Sequence, residues 1–392
     1  MKKNGFKKGL LGLLAGAALL TAGCAGGETA DINYDEAETI KVGSVFAQSG
    51  DVSAYGLPQA QAVQLAVEEI NEAGGINDKQ VEIVEYDYGS EDSEAATITT
   101  RLATQDQVSV ILGPDVSGAA VASLQVANQN EIPLLSPSAS LDSFTEGADG
   151  SVIPYGWRIA YPDSYQGNAL AEFAANELGA QTAAVLGDNS SDYATGLVAT
   201  FTEAFPGEIV TQENFTAGET DFSAVLTSLK GQDFDILFIP GYYEEAGPII
   251  KQAREMGITQ PILGPDGFGN ESLYELAGAS NLTDIYYTTQ FSALSADEQV
   301  DAFMADYKEK FGKDADMFAA MAYDGAYVVK EAIERADSAD PQAINKALAE
   351  TTDFDGVTGN FSFDEMHNPV KTVTIIEVQN GEDVEAHEVG AE

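Results

Sequence analysis

Two serine-bearing loops and one glycine-flanked aspartate are the parts of this 392-residue chain best suited to hold a small polar molecule. After the apolar run Val108–Leu112 comes Gly113-Pro114-Asp115-Val116-Ser117-Gly118, and after Ile132–Leu135 comes Ser136-Pro137-Ser138-Ala139-Ser140. Ser117 is placed to open a helix, whose free N–H groups and positive dipole end attract an anion such as a carboxylate. Ser138 and Ser140 add a backbone group and a hydroxyl. Serine at such turns also serves as a plain N-cap, so the loops alone leave both roles open. Asp266 follows Pro261–Leu263 within Gly264-Pro265-Asp266-Gly267-Phe268-Gly269. One carboxylate among 64 Asp and Glu is ordinarily a solvated charge, but these glycines let backbone come close to a bound molecule. Tyr193, after Leu186-Gly187-Asp188-Asn189, and Tyr242, after Ile236–Pro240, offer rings for apolar atoms and hydroxyls for polar ones. With 16 tyrosines in the chain, each also suits ordinary core or surface.

The composition argues against several other chemistries. His367 and His387 are the only histidines and Cys24 the only cysteine, so histidine metal sites and Ser-His or Cys-His catalysis are poorly supplied. The sequence holds no G-x-S-x-G elbow, P-loop, H-E-x-x-H or EF-hand loop. Gly267-Phe268-Gly269 continues as Asn270-Glu271-Ser272, which is not a dinucleotide fingerprint, and Asp353-Phe354-Asp355-Gly356 lacks later calcium ligands. Neither an enzyme nor a cofactor or metal is expected. The formal net charge of −46 repels nucleic acid and anionic headgroups. It fits a salty or alkaline medium, where self-repulsion is screened.

The elements that must position these loops alternate regularly. Apolar strand runs at Ile40–Phe46, Val81–Tyr86, Val108–Leu112 and Ile132–Leu135 are separated by helix-period segments at Pro58–Ala73, Ser93–Thr104 and Ser117–Asn130. A second series runs from helix Tyr165–Leu178 through strands Ala183–Leu186, Ile209–Glu213, Ile236–Pro240 and Pro261–Leu263. Its intervening helices are Tyr193–Phe205, Phe222–Leu229 and Glu245–Met256. Such alternation predicts βαβ units, and two series predict two doubly wound parallel-sheet α/β lobes. Ligands of such sheets bind beyond the strands' carboxyl ends, where the serine loops and Asp266 fall. Helices at 296–311, Asp316–Arg335 and about Pro341–Ala349 follow, and Asn380-Gly381 between apolar runs predicts an antiparallel hairpin.

The first 23 residues read as an export signal. Lys2, Lys3, Lys7 and Lys8 precede the apolar stretch Leu10–Leu20, which is too short to span a bilayer comfortably, and Thr21-Ala22-Gly23-Cys24 supplies small residues for processing. This segment resembles a bacterial lipoprotein signal, which implies a lipidated Cys24 as the mature N-terminus. Residues 24–38 are small, acidic and non-periodic, and are expected to form a flexible tether. Loss of the four lysines brings the charge from −46 to −50.

From about Ile40 onward the loops, taken in order, resemble the leucine/isoleucine/valine-binding proteins of bacterial ABC importers, a branch of the type I solute-binding proteins. The resemblance rests on Tyr55-Gly56, Glu69-Ile70-Asn71-Glu72-Ala73-Gly74-Gly75-Ile76, Leu135-Ser136-Pro137-Ser138-Ala139-Ser140 and Asp163-Ser164-Tyr165-Gln166-Gly167. It continues through Thr216–Ser223, Gly241-Tyr242-Tyr243-Glu244-Glu245 and Gly264-Pro265-Asp266-Gly267. It implies a carboxylate site at Ser117, Ser138, Ala139 and Ser140, an ammonium partner in Asp266, and surrounding tyrosines Tyr55, Tyr193, Tyr242 and Tyr323. Ser140 often is Thr in that family and Asp266 often Glu, so this carboxylate is one methylene shorter. The resemblance further implies hinge crossings near residues 161, 290 and 366. Residues 39–161 with 291–366 then form the first lobe, and 162–290 with 367–392 the second. The expected protein is monomeric and extracytoplasmic, touches the membrane only through its anchor, binds no nucleic acid, and hands an aliphatic amino acid to an ABC permease. Amide, urea or aromatic-acid binding, or ligand sensing without transport, are the alternatives.

Overall fold

The fold is built on a 5-stranded sheet, a 7-stranded sheet and a small 3-stranded one, in a computed structural model that describes residues 33–293 and 297–389. Cys24 and the export signal lie outside the described residues. The end of the expected tether lies within them: Tyr34–Glu36 forms a 3-10 turn, and Asp35 Oδ1 accepts from Ala339 N at 2.8 Å. Among the described residues no helix is long and apolar enough to cross a membrane.

The first sheet has strands β1 (Thr39–Phe46), β2 (Gln80–Asp87), β3 (Val110–Leu112), β4 (Leu134–Ser136) and β5 (Gly156–Arg158), ordered β2-β1-β3-β4-β5 and all parallel. Helices α1 (Ser53–Glu72), α2 (Asp92–Arg101) and α3 (Ser117–Asn130) connect them. After α4 (Asp163–Asn176) come β6 (Thr182–Asp188), α5 (Asp192–Ala204), β7 (Glu208–Phe215) and α6 (Ser223–Lys230). Then follow β8 (Ile236–Phe238), α7 (Tyr243–Glu255), β9 (Ile262–Gly264), α8 (Glu271–Ala277) and β10 (Ile285–Thr289). Next come α9 (Glu298–Phe311), α10 (Met317–Ala336) and α11 (Pro341–Leu348). The small sheet of β11 (Phe354–Gly356), β12 (Gly359–Phe363) and β13 (Pro369–Val370) precedes β14 (Val373–Gln379) and β15 (Glu382–Val389).

The second sheet is ordered β15-β14-β10-β9-β8-β6-β7, parallel from β10 to β7 and antiparallel at β14 and β15. The hairpin turn is the expected one, with Asn380 at φ 54° and Gly381 at φ 78°, both in the left-handed region that a two-residue turn requires. Short strands such as β3, β4, β8 and β9 are buried throughout, as sheets covered on both faces demand. β10, β5 and the small sheet were not anticipated. β10 reads Ile-Tyr-Tyr-Thr-Thr, without the alternation that marks a half-buried strand, because both its faces are covered.

Helix α1 begins at Ser53, five residues before Pro58, whose ring lies inside the helix. Gly56 lets this helix press on the end of β1, since a Cβ there would lie 2.2 Å from Ala47 O. That contact carries Tyr55 into the space between the sheets.

Candidate ligand-binding site

Beyond the carboxyl ends of β3, β4, β6, β8 and β9 the chain encloses a cavity with about 260 Å³ free of protein atoms. Its walls are Tyr55, Asp115, Val116, Ser117, Ser138 and Ser140 on one side, Tyr193, Tyr242, Asp266 and Gly267 on the other, and Phe318 from α10.

On the serine side the two loops are tied together. Ser117 Oγ accepts from Ser140 N at 3.3 Å and Leu141 N at 3.2 Å, which leaves its own proton for another acceptor. Ser117 also stands in the first turn of α3, whose dipole favours an anion there. Ser138 Oγ is committed differently: it donates to Asp115 O at 2.6 Å and accepts from Gln59 Nε2 at 2.8 Å.

On the opposite side Asp266 is buried in a 3-10 turn. Gly264 makes that turn possible, because a Cβ there would meet the Phe268 ring at 2.2 Å. Asp266 Oδ1 accepts from Tyr193 Oη at 2.6 Å, while Oδ2 has no hydrogen-bond partner. Its backbone N–H donates to Gln166 Oε1 at 3.0 Å. Burial pushes the Asp266 carboxyl up to about 6, against hydrogen bonds from Tyr193, Gln166 and Gly267 that pull it down. Asp115 is pushed up to about 7 by burial, and its Oδ2 is also without a partner. A buried, unpartnered carboxylate oxygen on a residue that lines the cavity, as in Asp266, is a strong attraction for a cation that brings hydrogen-bond donors.

The aromatic walls are ordered among themselves. Tyr193 and Tyr242 stack at 5.1 Å and 4°, and Tyr55 meets Phe318 at 4.6 Å. Tyr55 Oη donates to Gly267 O at 2.9 Å and accepts from Tyr243 N at 3.0 Å, so its hydroxyl is spent joining the two sides.

Of the residues expected from the sequence, Ala139 and Tyr323 are not among the walls. Ala139 is buried, and its carbonyl accepts from Arg158 Nη1 at 3.3 Å. Tyr323 Oη donates to Glu69 Oε2 at 2.6 Å and its ring lies 4.7 Å from Phe303. The cavity-facing residue of that helix is Phe318; five residues further on, Tyr323 points roughly 140° away. Asp115 and Val116 were legible as neighbours of Ser117. Phe318 carries no local signal, since only the packing of α10 brings it to loops some 200 residues away in sequence.

Residues 39–383 match the model of a family described as periplasmic binding protein. The chain belongs to the periplasmic binding protein family. Among solved structures, this family member is 43% identical to the branched-chain amino acid transporter substrate-binding protein of Streptococcus pneumoniae, solved with isoleucine. That match covers 90% of this chain and 99% of the other, with a TM-score of 0.84. A leucine-binding protein of Thermotoga maritima is 30% identical over 90% of this chain and 98% of its own, with a TM-score of 0.82. The leucine-, isoleucine-, valine-, threonine- and alanine-binding protein of Pseudomonas aeruginosa is 28% identical over 84% of this chain and 87% of its own. This periplasmic binding protein thus has the two-lobed type I fold.

Proposed function

We propose that this periplasmic binding protein captures an amino acid with an aliphatic, branched-chain type of side chain outside the cytoplasm and delivers it to an ABC importer. The observation that carries this reading is the unpartnered, buried Oδ2 of Asp266 on the same small cavity as the helix-end hydroxyl of Ser117. A zwitterion needs both an anion site and a cation site, and Ser117 on one side and Asp266 on the other supply them. Closure then depends on a ligand that links them. Tyr55, Val116, Tyr242 and Phe318 supply apolar surface for the rest of the molecule. The first lobe is taken as 39–161 with 291–366, the second as 162–290 with 367–392, and Cys24 as the lipid attachment point. Relatives that bind isoleucine or leucine by name support the aliphatic class.

Titration calorimetry of ligand-stripped protein tests this directly, using leucine, isoleucine, valine, alanine, phenylalanine and glutamate, with isovaleramide and urea as controls. Tight binding of an aliphatic amino acid with no heat from the amides is expected. Binding of the amides alone would remove Asp266 from the role of ammonium partner. No binding by any of them to correctly refolded protein would favour a sensor of another ligand.

A further inference from the structure

We infer that the terminal hairpin carries a divalent transition-metal site formed by Glu377, Glu385 and His387. One ligand atom from each lies within 4.8 Å of the other two, and His387 Nε2 is 3.5 Å from Glu377 Oε2. Donors at about 2.0–2.2 Å from a tetrahedral ion stand roughly 3.3–3.6 Å from one another, so the histidine and Glu377 already have nearly that spacing. The strand register creates the group. Glu377 on β14 lies directly opposite Glu385 on β15, and His387 lies opposite Ile375, two residues along.

Two further observations point to a cation between these side chains. Like charges directly opposite each other destabilise a strand pair, and here they stand opposite without a lysine or arginine. Among the described residues neither glutamate is in salt-bridge reach of a lysine or arginine, and Glu377 Oε1 accepts from Gln379 Nε2 at 2.8 Å. Independently, His387 Nε2 is shielded from water yet has no hydrogen-bond partner, and its ring is held 5.2 Å from Phe173. An imidazole nitrogen presented to two carboxylates is an N/O donor set, which suits zinc, nickel or copper; calcium and magnesium prefer oxygen throughout. β15 is the edge strand of its sheet, so an ion there clasps the last two strands and stabilises the folded form by mass action. None of the three residues lines the ligand cavity.

The test is calorimetric titration of chelator-treated protein with Zn²⁺, beside Mg²⁺ and Ca²⁺, together with the thermal unfolding midpoint. One Zn²⁺ per chain and a raised midpoint are expected, with little response to Mg²⁺ or Ca²⁺. His387→Gln and the exposed Glu385→Gln should each weaken Zn²⁺ binding about tenfold or more, while amino-acid binding is kept as the check that each variant folds. Co²⁺ should give the intense visible absorption of a four-coordinate site, absent in His387→Gln. Equal response to Mg²⁺, or Zn²⁺ binding untouched by both variants, would mean general attraction to an acidic surface and would overturn the inference.

Discussion

Asp266 concentrates the chemistry of the cavity at the level of a single residue. The value of about 6 to which burial pushes it lies above the 3.8 of an unperturbed aspartate, so the folded protein holds more protons than the unfolded chain between those values. Its contribution to stability is therefore most favourable at the acid end of that window and falls as pH rises through about 6. A ligand ammonium reverses the shift, because it favours the ionised carboxylate. Amino-acid affinity should accordingly be about tenfold weaker at pH 5 than at pH 8. Calorimetry at pH 5.5 in buffers of different ionisation heat should read proton release on binding. Asp266→Asn should weaken binding about tenfold or more at pH 8, as loss of a charge-assisted hydrogen bond does. It should also flatten the pH profile down to whatever Asp115, pushed up to about 7, contributes. Proton uptake on binding to the unaltered protein would contradict the assignment.

At the level of elements, glycine backbone positions decide how closely helix and strand approach. Gly56→Ala would put a Cβ 2.2 Å from Ala47 O, and backbone cannot yield as a flexible side chain can. An overpacked contact costs about 1–3 kcal/mol, readable in urea unfolding. Because Tyr55 is the adjacent residue, ligand affinity should fall along with stability; an unchanged affinity would mean that α1 does not set the cavity wall. The sequence suggested a start at Pro58, since proline favours a helix's first turn. The helix instead begins at Ser53, with Gln59 Nε2 donating to Tyr55 O at 3.1 Å just beside the proline. Periodicity placed most other helices and strands within a few residues. It missed β5, β10 and the small sheet, whose runs of two to five residues show no clear period.

For the whole molecule, closure and charge are the governing terms. Tyr55 Oη bridges Gly267 O and Tyr243 N, and Tyr243 Oη donates to Asp51 O at 2.7 Å, so these bonds form only when the two sides of the cavity are together. Each hydrogen bond contributes about 0.5–1.5 kcal/mol. Tyr55→Phe keeps the ring and should weaken amino-acid binding roughly tenfold, mostly through faster release measured by stopped-flow. An unchanged release rate would show that the bridge does not hold the closed form. The net charge of −46 produces a self-repulsion that salt screens. The unfolding midpoint should therefore rise between 0.1 and 1 M KCl, by about that same screening argument, and a flat response would exclude charge repulsion as a limit on stability.

The sequence by itself determined the alternation of strands and helices, the Asn380-Gly381 turn, and the loops bearing Ser117, Ser138, Ser140 and Asp266, because periodicity, turn chemistry and strand-end position are local properties. Only the tertiary structure decided that Phe318 and not Tyr323 closes the cavity, since one helix presents both and its packing selects the face. It likewise decided that Ser138 spends its hydroxyl on Asp115 and Gln59 while Ser117 keeps a proton to give. The grouping of His387 with Glu377 and Glu385 was also hidden, although all three stand within eleven residues, because strand register alone turns them to one face.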